Sequence, residues 1–379
     1  MIQAAYLHIP FCEQICHYCD FNKMFLKNQP VTDYLLAMEK EIDLTFQEVP
    51  PTLLKTIFIG GGTPTALSES QLYLLCEIIK NKLPFNQDTE FTVEANPGDL
   101  SKEKFQILKD AGVNRISFGV QTFDNQLLKK IGRSHKAEDV FKSISLAKDT
   151  GFENISVDLI YSLPGQTVDD FKRTLDTAFS LDIPHYSGYS LIIEPKTVFY
   201  NLFTRGKLPI VGEDTEAEMY NILMEKMEQH GFSQYEISNF SLPGFESKHN
   251  LTYWNNEFYY GFGAGAHGYL NGFRRSNYGP LKKYMEPLGL QKLPILENHE
   301  VTKMEAIEEE MFLGLRKTAG VSMSHFHEKF GQDLATIFTE EIEKLLKRGL
   351  IEIKANHIRL TKQGRFLGNE VFQSFLGVI

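Results

Sequence analysis

Three of the four cysteines, Cys12, Cys16 and Cys19, fall within eight residues. Thiolates are soft ligands for zinc or for iron and sulfide, and the spacing Cys-x3-Cys-x2-Cys lets one loop wrap a single centre. A structural zinc with His8 or His17 as fourth ligand is one reading. Structural zinc sites usually draw their ligands from two knuckles, however, and no second knuckle exists in the chain. Three cysteines on a loop suggest instead a 4Fe-4S cluster with one iron open to an exchangeable ligand. Cys76 sits in the apolar helical run Leu72 to Ile79 and reads as a small core residue, so the four do not form a disulfide framework.

The cysteines follow the first of six apolar, β-rich runs: Ala4 to Ile9, Thr56 to Ile59, Glu90 to Glu94, Arg115 to Gly119, Asn154 to Ile160 and Tyr186 to Ile193. Helical stretches at Thr32 to Phe46, Ser68 to Asn81, Lys102 to Asp110, Lys136 to Lys148 and Val168 to Ser180 separate them. Crossovers of this length imply parallel pairing. Six units rather than eight predict an α/β fold in the form of a partial (β/α)6 barrel. In such folds chemistry gathers at the carboxyl ends of the strands. Those ends carry the cysteine loop, Gly60-Gly61-Gly62-Thr63-Pro64, Glu94-Ala95-Asn96-Pro97-Gly98 and Gln121-Thr122, and the fifth run contains Asp158.

The 379 residues predict two or three domains at about 150 residues each, or one large α/β domain with an appendage. We divide them into a barrel at 1–200, a connecting region at 201–299 and a C-terminal unit at 300–379. In the connecting region Glu213 to Gln229 reads as a helix with Ala217, Tyr220, Leu223, Met224 and Met227 on one side. Gly263 to Gly268 formally matches G-x-G-x-x-G, but Tyr269-Leu-Asn-Gly-Phe-Arg-Arg is a poor helix start, which excludes a dinucleotide-binding turn. A tightly packed backbone is the better reading, with His267 as a reserve ligand.

In the last unit Met304, Ile307, Met311 and Leu315 recur at helical spacing, and Ile342, Leu345 and Leu346 mark a helix stopped by Gly349. A hairpin around Ala355-Asn356 and a final helix complete a winged-helix-like α+β order. That shape often serves DNA, yet residues 301–379 carry eleven basic and eleven acidic side chains, and the whole chain has a net charge of -10. Packing or partner contact is therefore expected rather than nucleic acid. A composition of 42% hydrophobic and 23% charged residues excludes disorder as the main state. No basic segment followed by an apolar one opens the chain, and no apolar run approaches the about 20 residues that span a bilayer. The expectation is a cytoplasmic protein without a transmembrane segment.

The string Tyr6-Leu-His-Ile-Pro-Phe-Cys12-Glu-Gln-Ile-Cys16-His-Tyr-Cys19-Asp-Phe21 resembles the cluster loop of radical S-adenosylmethionine (SAM) proteins. The subgroup is the one related to oxygen-independent coproporphyrinogen III dehydrogenase. The resemblance continues through Gly60 to Pro64, Gly119-Val-Gln-Thr122 and Asp158-Leu-Ile-Tyr-Ser-Leu-Pro-Gly165 into the C-terminal unit, and covers nearly the whole chain. Phe21, the short N-terminus and His249-Asn-Leu-Thr-Tyr-Trp254 are similar to the heme chaperone branch. The dehydrogenase branch typically has a further cysteine where Phe21 stands, and a longer N-terminal arm.

The resemblance implies that Cys12, Cys16 and Cys19 hold three irons of the cluster and that SAM chelates the fourth. It implies contacts to SAM from Gly61, Gly62, Thr63, Glu94, Gln121, Arg133 and Asp158, with Tyr6 and Tyr18 flanking the loop. Glycines let the backbone approach the methionine moiety, Glu94 can accept from ribose hydroxyls, and Arg133 can pair with a carboxylate. An isolated histidine is more often packed than ligating. Tyr253 and Trp254, however, offer flat faces suited to a porphyrin beside His249, which the resemblance implies is a heme iron ligand. A heme chaperone would deliver heme to acceptors such as respiratory cytochromes, would need an electron donor for its cluster, and would lack the dehydrogenase activity. The alternatives are the dehydrogenase itself, a radical enzyme of oxidative decarboxylation, and a zinc protein with an α/β core.

Overall fold

The computed structural model describes residues 1–378. Strands β1 (Ala4–Ile9), β2 (Thr56–Gly61), β3 (Glu90–Ala95), β4 (Arg115–Gln121), β5 (Asn154–Tyr161) and β6 (His185–Ser190) are parallel and adjacent in chain order. Helices α1 (Val31–Glu48), α2 (Glu69–Lys82), α3 (Lys102–Asp110), α4 (Asn125–Lys130), α5 (Ala137–Asp149) and α6 (Val168–Phe179) supply the crossovers. This is the partial (β/α)6 barrel read from the sequence.

Local chemistry sets the helix starts. Ser68 caps α2 and Thr167 caps α6, each in a reciprocal capping box with the residue three positions on. The spacing of Phe171, Thr174, Leu175 and Ala178 puts one face of α6 into the core. Along the strands, residues of period two divide the work. Ile57 and Ile59, Phe91 and Val93, Ile116 and Phe118, and Val157 and Leu159 join the helices in the main apolar core, each large side chain contributing roughly 1.5–3 kcal/mol. The intervening residues include His8, Glu94, Ser117 and Asp158. Register places Glu94 beside Ser117 and Gly119 beside Asp158. A one-residue slip would send these polar groups into the helix layer.

The sheet has nine strands rather than six. Beyond β6 lie the antiparallel strands β7 (Ser233–Glu236) and β8 (Asn239–Ser241), and β9 (Tyr260–Phe262) pairs parallel with the free edge of β1. These additions lack an apolar run long enough to read: Ser-Gln-Tyr-Glu, Asn-Phe-Ser and Tyr-Gly-Phe. The glycine run that starts in β9 leads into the hairpin β10 (His267–Leu270) and β11 (Phe273–Asn277), not into a helix.

The C-terminal unit has its own core, including Ile307, Met311, Phe326, Leu345, Ile358 and Phe372. Its three-stranded wing pairs Val321–Ser322 with the hairpin Ile351–Lys354 and His357–Leu360, turned at Ala355 and Asn356 with φ of 48° and 65°. Two expectations need correction. Met304 is 52% exposed, because it lies in the first turn of the helix Lys303–Gly314, ahead of the buried stripe. The final helix is two short ones, Lys362–Phe366 and Gly368–Gln373. The unit is tied to the sheet edge by backbone bonds from Ile237 N–H to the Arg316 carbonyl (3.1 Å) and from Thr318 N–H to the Tyr235 carbonyl (2.9 Å). Among the described residues, no helix is long and apolar enough to cross a membrane.

Candidate functional site

The loop after β1 is held from two sides. Met24 N–H donates to the Pro10 carbonyl and Leu26 N–H to the Cys12 carbonyl, both at 2.8 Å, closing the loop on itself. The Asn22 amide donates to the carbonyls of Ala264 (2.7 Å) and Gly279 (3.1 Å), fastening it to the glycine run. This loop and the ends of the neighbouring strands enclose a cavity of about 320 Å³. Cys12, Cys16, Cys19, Tyr18, Gly61, Gly62, Thr63, Glu94, Gln121, Arg133 and Asp158 all line it.

Two glycines are required by geometry. Gly61 has φ of 117°, and a Cβ there would stand 2.6 Å from the His8 ring. A Cβ on Gly62 would stand 2.8 Å from the Pro10 carbonyl carbon and 3.0 Å from Cys12 Sγ. The close approach read from the sequence is thus, in part, an approach to the cysteine loop itself. Two donors reach the sulfurs: Thr63 Oγ1 lies 3.6 Å from Cys12 Sγ and Arg133 Nη1 lies 3.4 Å from Cys16 Sγ. Arg133 is fixed by Nη2, which donates to Asn96 Oδ1 (2.6 Å) and the Gly119 carbonyl (2.5 Å), while its buried Nε–H has no partner among the described residues.

Glu94 accepts from Gly61 N–H at 3.1 Å. Burial, reinforced by the neighbouring Asp158, pushes its carboxyl up to about 7. Burial also raises Asp158, against the bonds it accepts from Ser117 at 3.2 Å. This cavity therefore holds two carboxyl groups whose burial disfavours ionisation.

Tyr6 does not reach this cavity. It lines a second one of about 450 Å³, with His8, Phe58, His249, Tyr253, Tyr259 and His267 around it. Phe21, Gly61 and Glu94 border both cavities and form the partition between them.

His249, on the helix Lys248–Trp254, is 1% exposed. Its Nδ1 lies 2.8 Å from Thr56 Oγ1, its Nε2 lies 2.8 Å from the Tyr253 hydroxyl, and its ring stacks on Phe58 with centroids 5.1 Å apart. Burial pushes its pKa down to about 3, with the Arg115 charge adding to the effect. The ring is thus neutral, and both nitrogens are engaged. Trp254 does not share this cavity with His249, contrary to the expectation from sequence. Residues five apart on a helix point about 140° from each other, and Trp254 faces the C-terminal unit, with Arg316 5.0 Å above its ring.

Asn22, Ser117 and Tyr189 are cavity residues that the sequence alone does not mark. Asn96, Ser117 and Tyr189 line the first cavity and Asn22 the second. Asn96 was marked only by its place two residues beyond Glu94, where β3 has just ended.

Comparison with known proteins places residues 6–178 in the radical SAM superfamily and residues 301–367 in the HemN C-terminal domain. The chain is 58% identical to the heme chaperone HemW of Bacillus subtilis over 377 residues, 99% of this chain and 100% of the relative. It is 48% identical to the Lactococcus lactis heme chaperone HemW, covering 98% and 97% of the two chains, and 32% identical to that of Escherichia coli, covering 98% of each. Among solved structures, Escherichia coli coproporphyrinogen III oxidase, HemN, superposes with a TM-score of 0.87 at 23% identity, covering 100% of this chain and 91% of that one. That likeness concerns the fold.

Proposed function

The chain belongs to the HemW heme chaperones of the radical SAM superfamily, and from that premise we propose that it binds a 4Fe-4S cluster, SAM and heme and passes heme to acceptor proteins. The observation that carries this reading is the pair of adjoining cavities that share Phe21, Gly61 and Glu94 in their walls. The first offers three thiols and a polar wall; the second offers aromatic faces and imidazoles.

The donor set of the first cavity fits a cluster. Its three sulfurs line one cavity, and among the described residues no fourth thiol and no imidazole lines it with them, which suits a 4Fe-4S cluster with one iron open better than a zinc closed by four Cys and His ligands. Cys12, Cys16 and Cys19 would be its ligands, with Thr63 and Arg133 donating to sulfur. The orphaned Nε–H of Arg133 fits a carboxylate such as that of SAM, and Glu94 and Asp158 fit hydroxyl donors. Gly61, Gly62 and Gln121 complete that wall, and Tyr18 closes the loop side. A cluster held by these residues would supply one-electron reducing chemistry to SAM, with the electron coming from a donor protein.

In the second cavity Tyr6 and Tyr253 would flank a porphyrin. For His249 to ligate its iron, Nε2 must release the Tyr253 hydroxyl. Heme-accepting partners such as respiratory cytochromes would receive the cargo in the cytoplasm. We assign the cofactor chemistry to residues 1–200, the heme helix to 201–299 and partner contact to 300–379.

The test is an anaerobic preparation reconstituted with iron and sulfide, titrated with hemin and assayed with coproporphyrinogen III. Saturable one-to-one hemin binding without conversion of coproporphyrinogen III is expected. Conversion without saturable hemin binding would make the chain a dehydrogenase.

A further inference from the structure

We propose that His267 is the imidazole that takes hold of the porphyrin iron in the second cavity, an inference that rests on the heme reading above. Three histidines line that cavity: His8, His249 and His267. A ligating imidazole needs a free nitrogen lone pair that can face an iron. His8 is 5% exposed, with Nδ1 2.9 Å from the Tyr6 hydroxyl and Nε2 2.7 Å from the Asn22 carbonyl oxygen. His249 is equally committed, to Thr56 and Tyr253. Drawing either ring to iron would break a buried hydrogen bond and strand its partner, a cost set by the partner's lost solvation.

His267 differs on each count. It is exposed, and among the described residues its ring makes no hydrogen bond. The residue lines the same cavity as His8 and His249. Burial pushes His8 below the ordinary histidine range, the Asn22 carbonyl opposes that, and the His267 charge adds to it. The backbone that carries His267 is rigid. It opens β10, opposite Ser276 of β11, and packs so tightly on β9 that a Cβ on Gly261 would stand 1.8 Å from the His267 carbonyl oxygen. A free imidazole on a fixed strand at the rim of an aromatic cavity can bind iron without undoing any contact of the fold. His249 then acts as a positioning residue, holding the Tyr253 ring against the porphyrin face through its 2.8 Å bond.

The experiment titrates hemin into the full chain and into His267→Ala and His249→Ala, with His357→Ala, a wing histidine remote from the cavity, as control. Absorption and electron paramagnetic resonance spectra are read at saturation. His267→Ala should bind hemin at least tenfold more weakly and lose the imidazole-ligated spectrum, and added imidazole should restore it. His357→Ala should match wild type. An unchanged spectrum in His267→Ala, with loss in His249→Ala, would return the ligand to His249 and overturn the proposal. Failure of the wild-type chain to bind hemin saturably would instead remove the heme reading itself.

Discussion

Glu94 accepts a hydrogen bond from the Gly61 backbone at 3.1 Å, and these two residues form part of the wall between the cavities. The bond joins the ends of β2 and β3, whose register is set far below by Thr56 against Glu90. A cation or hydroxyl on one side of Glu94 therefore changes a group that also faces the other side. The carboxyl is poised to respond, since burial has brought its pKa to about 7.

SAM affinity should accordingly depend on pH through Glu94. The ionised form is the stronger acceptor for ribose hydroxyls, so binding should tighten between pH 6 and pH 8. Glu94→Gln should flatten that dependence. Glu94→Ala should weaken SAM binding by roughly 1.5–3 kcal/mol, about tenfold or more, and leave the cluster in place. Isothermal titration of the reconstituted protein reads both effects, and equal affinity in wild type and Glu94→Ala would place the ribose elsewhere.

Cluster assembly should need each of Cys12, Cys16 and Cys19. Anaerobic reconstitution should give about four irons and four sulfides per chain, and alanine at any of the three should abolish this. Cys76 is 2% exposed within the apolar core and does not line the cavity of the three loop cysteines. Cys76→Ala should keep the full iron content, at a modest loss of stability. Stoichiometric zinc in place of iron would revive the mononuclear reading.

The parallel strands were legible because each is a short β-rich run separated from the next by a helical stretch, and the first four lead into the cysteine loop, Gly60 to Gly62, Glu94 and Gln121. The edge strand β9 was not, because Tyr-Gly-Phe becomes a strand only by meeting β1, more than 250 residues away in the chain. The commitment of His249 was hidden for the same reason: its partner Thr56 is 193 residues distant. Trp254 was a different failure. Helical periodicity alone separates it from His249, and that geometry was available from the residue numbers.

Glu41 of α1 links the core to the cysteine loop. It accepts from Gly263 N–H (2.8 Å), the Asn277 amide (2.5 Å) and the Tyr284 hydroxyl (2.5 Å), and the next residue in that run, Ala264, receives Asn22. Burial, opposed by those donors, pushes Glu41 up to about 7, above the roughly 4.3 of an unfolded chain. The native state then holds the proton more tightly, so this contribution to stability is complete below pH 4 and is lost as pH rises through 7. Glu41→Gln cannot titrate. The thermal midpoint of wild type minus that of Glu41→Gln should therefore fall steadily from pH 5 to pH 8, and a constant difference would show that Glu41 is ionised throughout.

The single tryptophan of the chain reports on the joint between barrel and C-terminal unit. Arg316 lies 5.0 Å from the Trp254 ring, 5.4 Å from that of Phe312 and 5.0 Å from that of Phe372, so one guanidinium connects the His249 helix to the core of the other unit. A half-buried cation beside aromatic rings contributes about 1 kcal/mol, and the arginine stem adds packing. Arg316→Ala should open this contact and let water reach the indole. Its emission should shift to the red and the C-terminal unit should become more sensitive to protease, while the cysteine loop, held by Asn22 and Met24, keeps its cluster. Arg316→Lys should recover only part of the effect, because an ammonium cannot lie flat against three rings. Unchanged emission in Arg316→Ala would mean that the other contacts between the two units, such as the Arg274–Glu309 pair and the bond from Lys317 Nζ to Asn255 Oδ1, hold the joint closed without it.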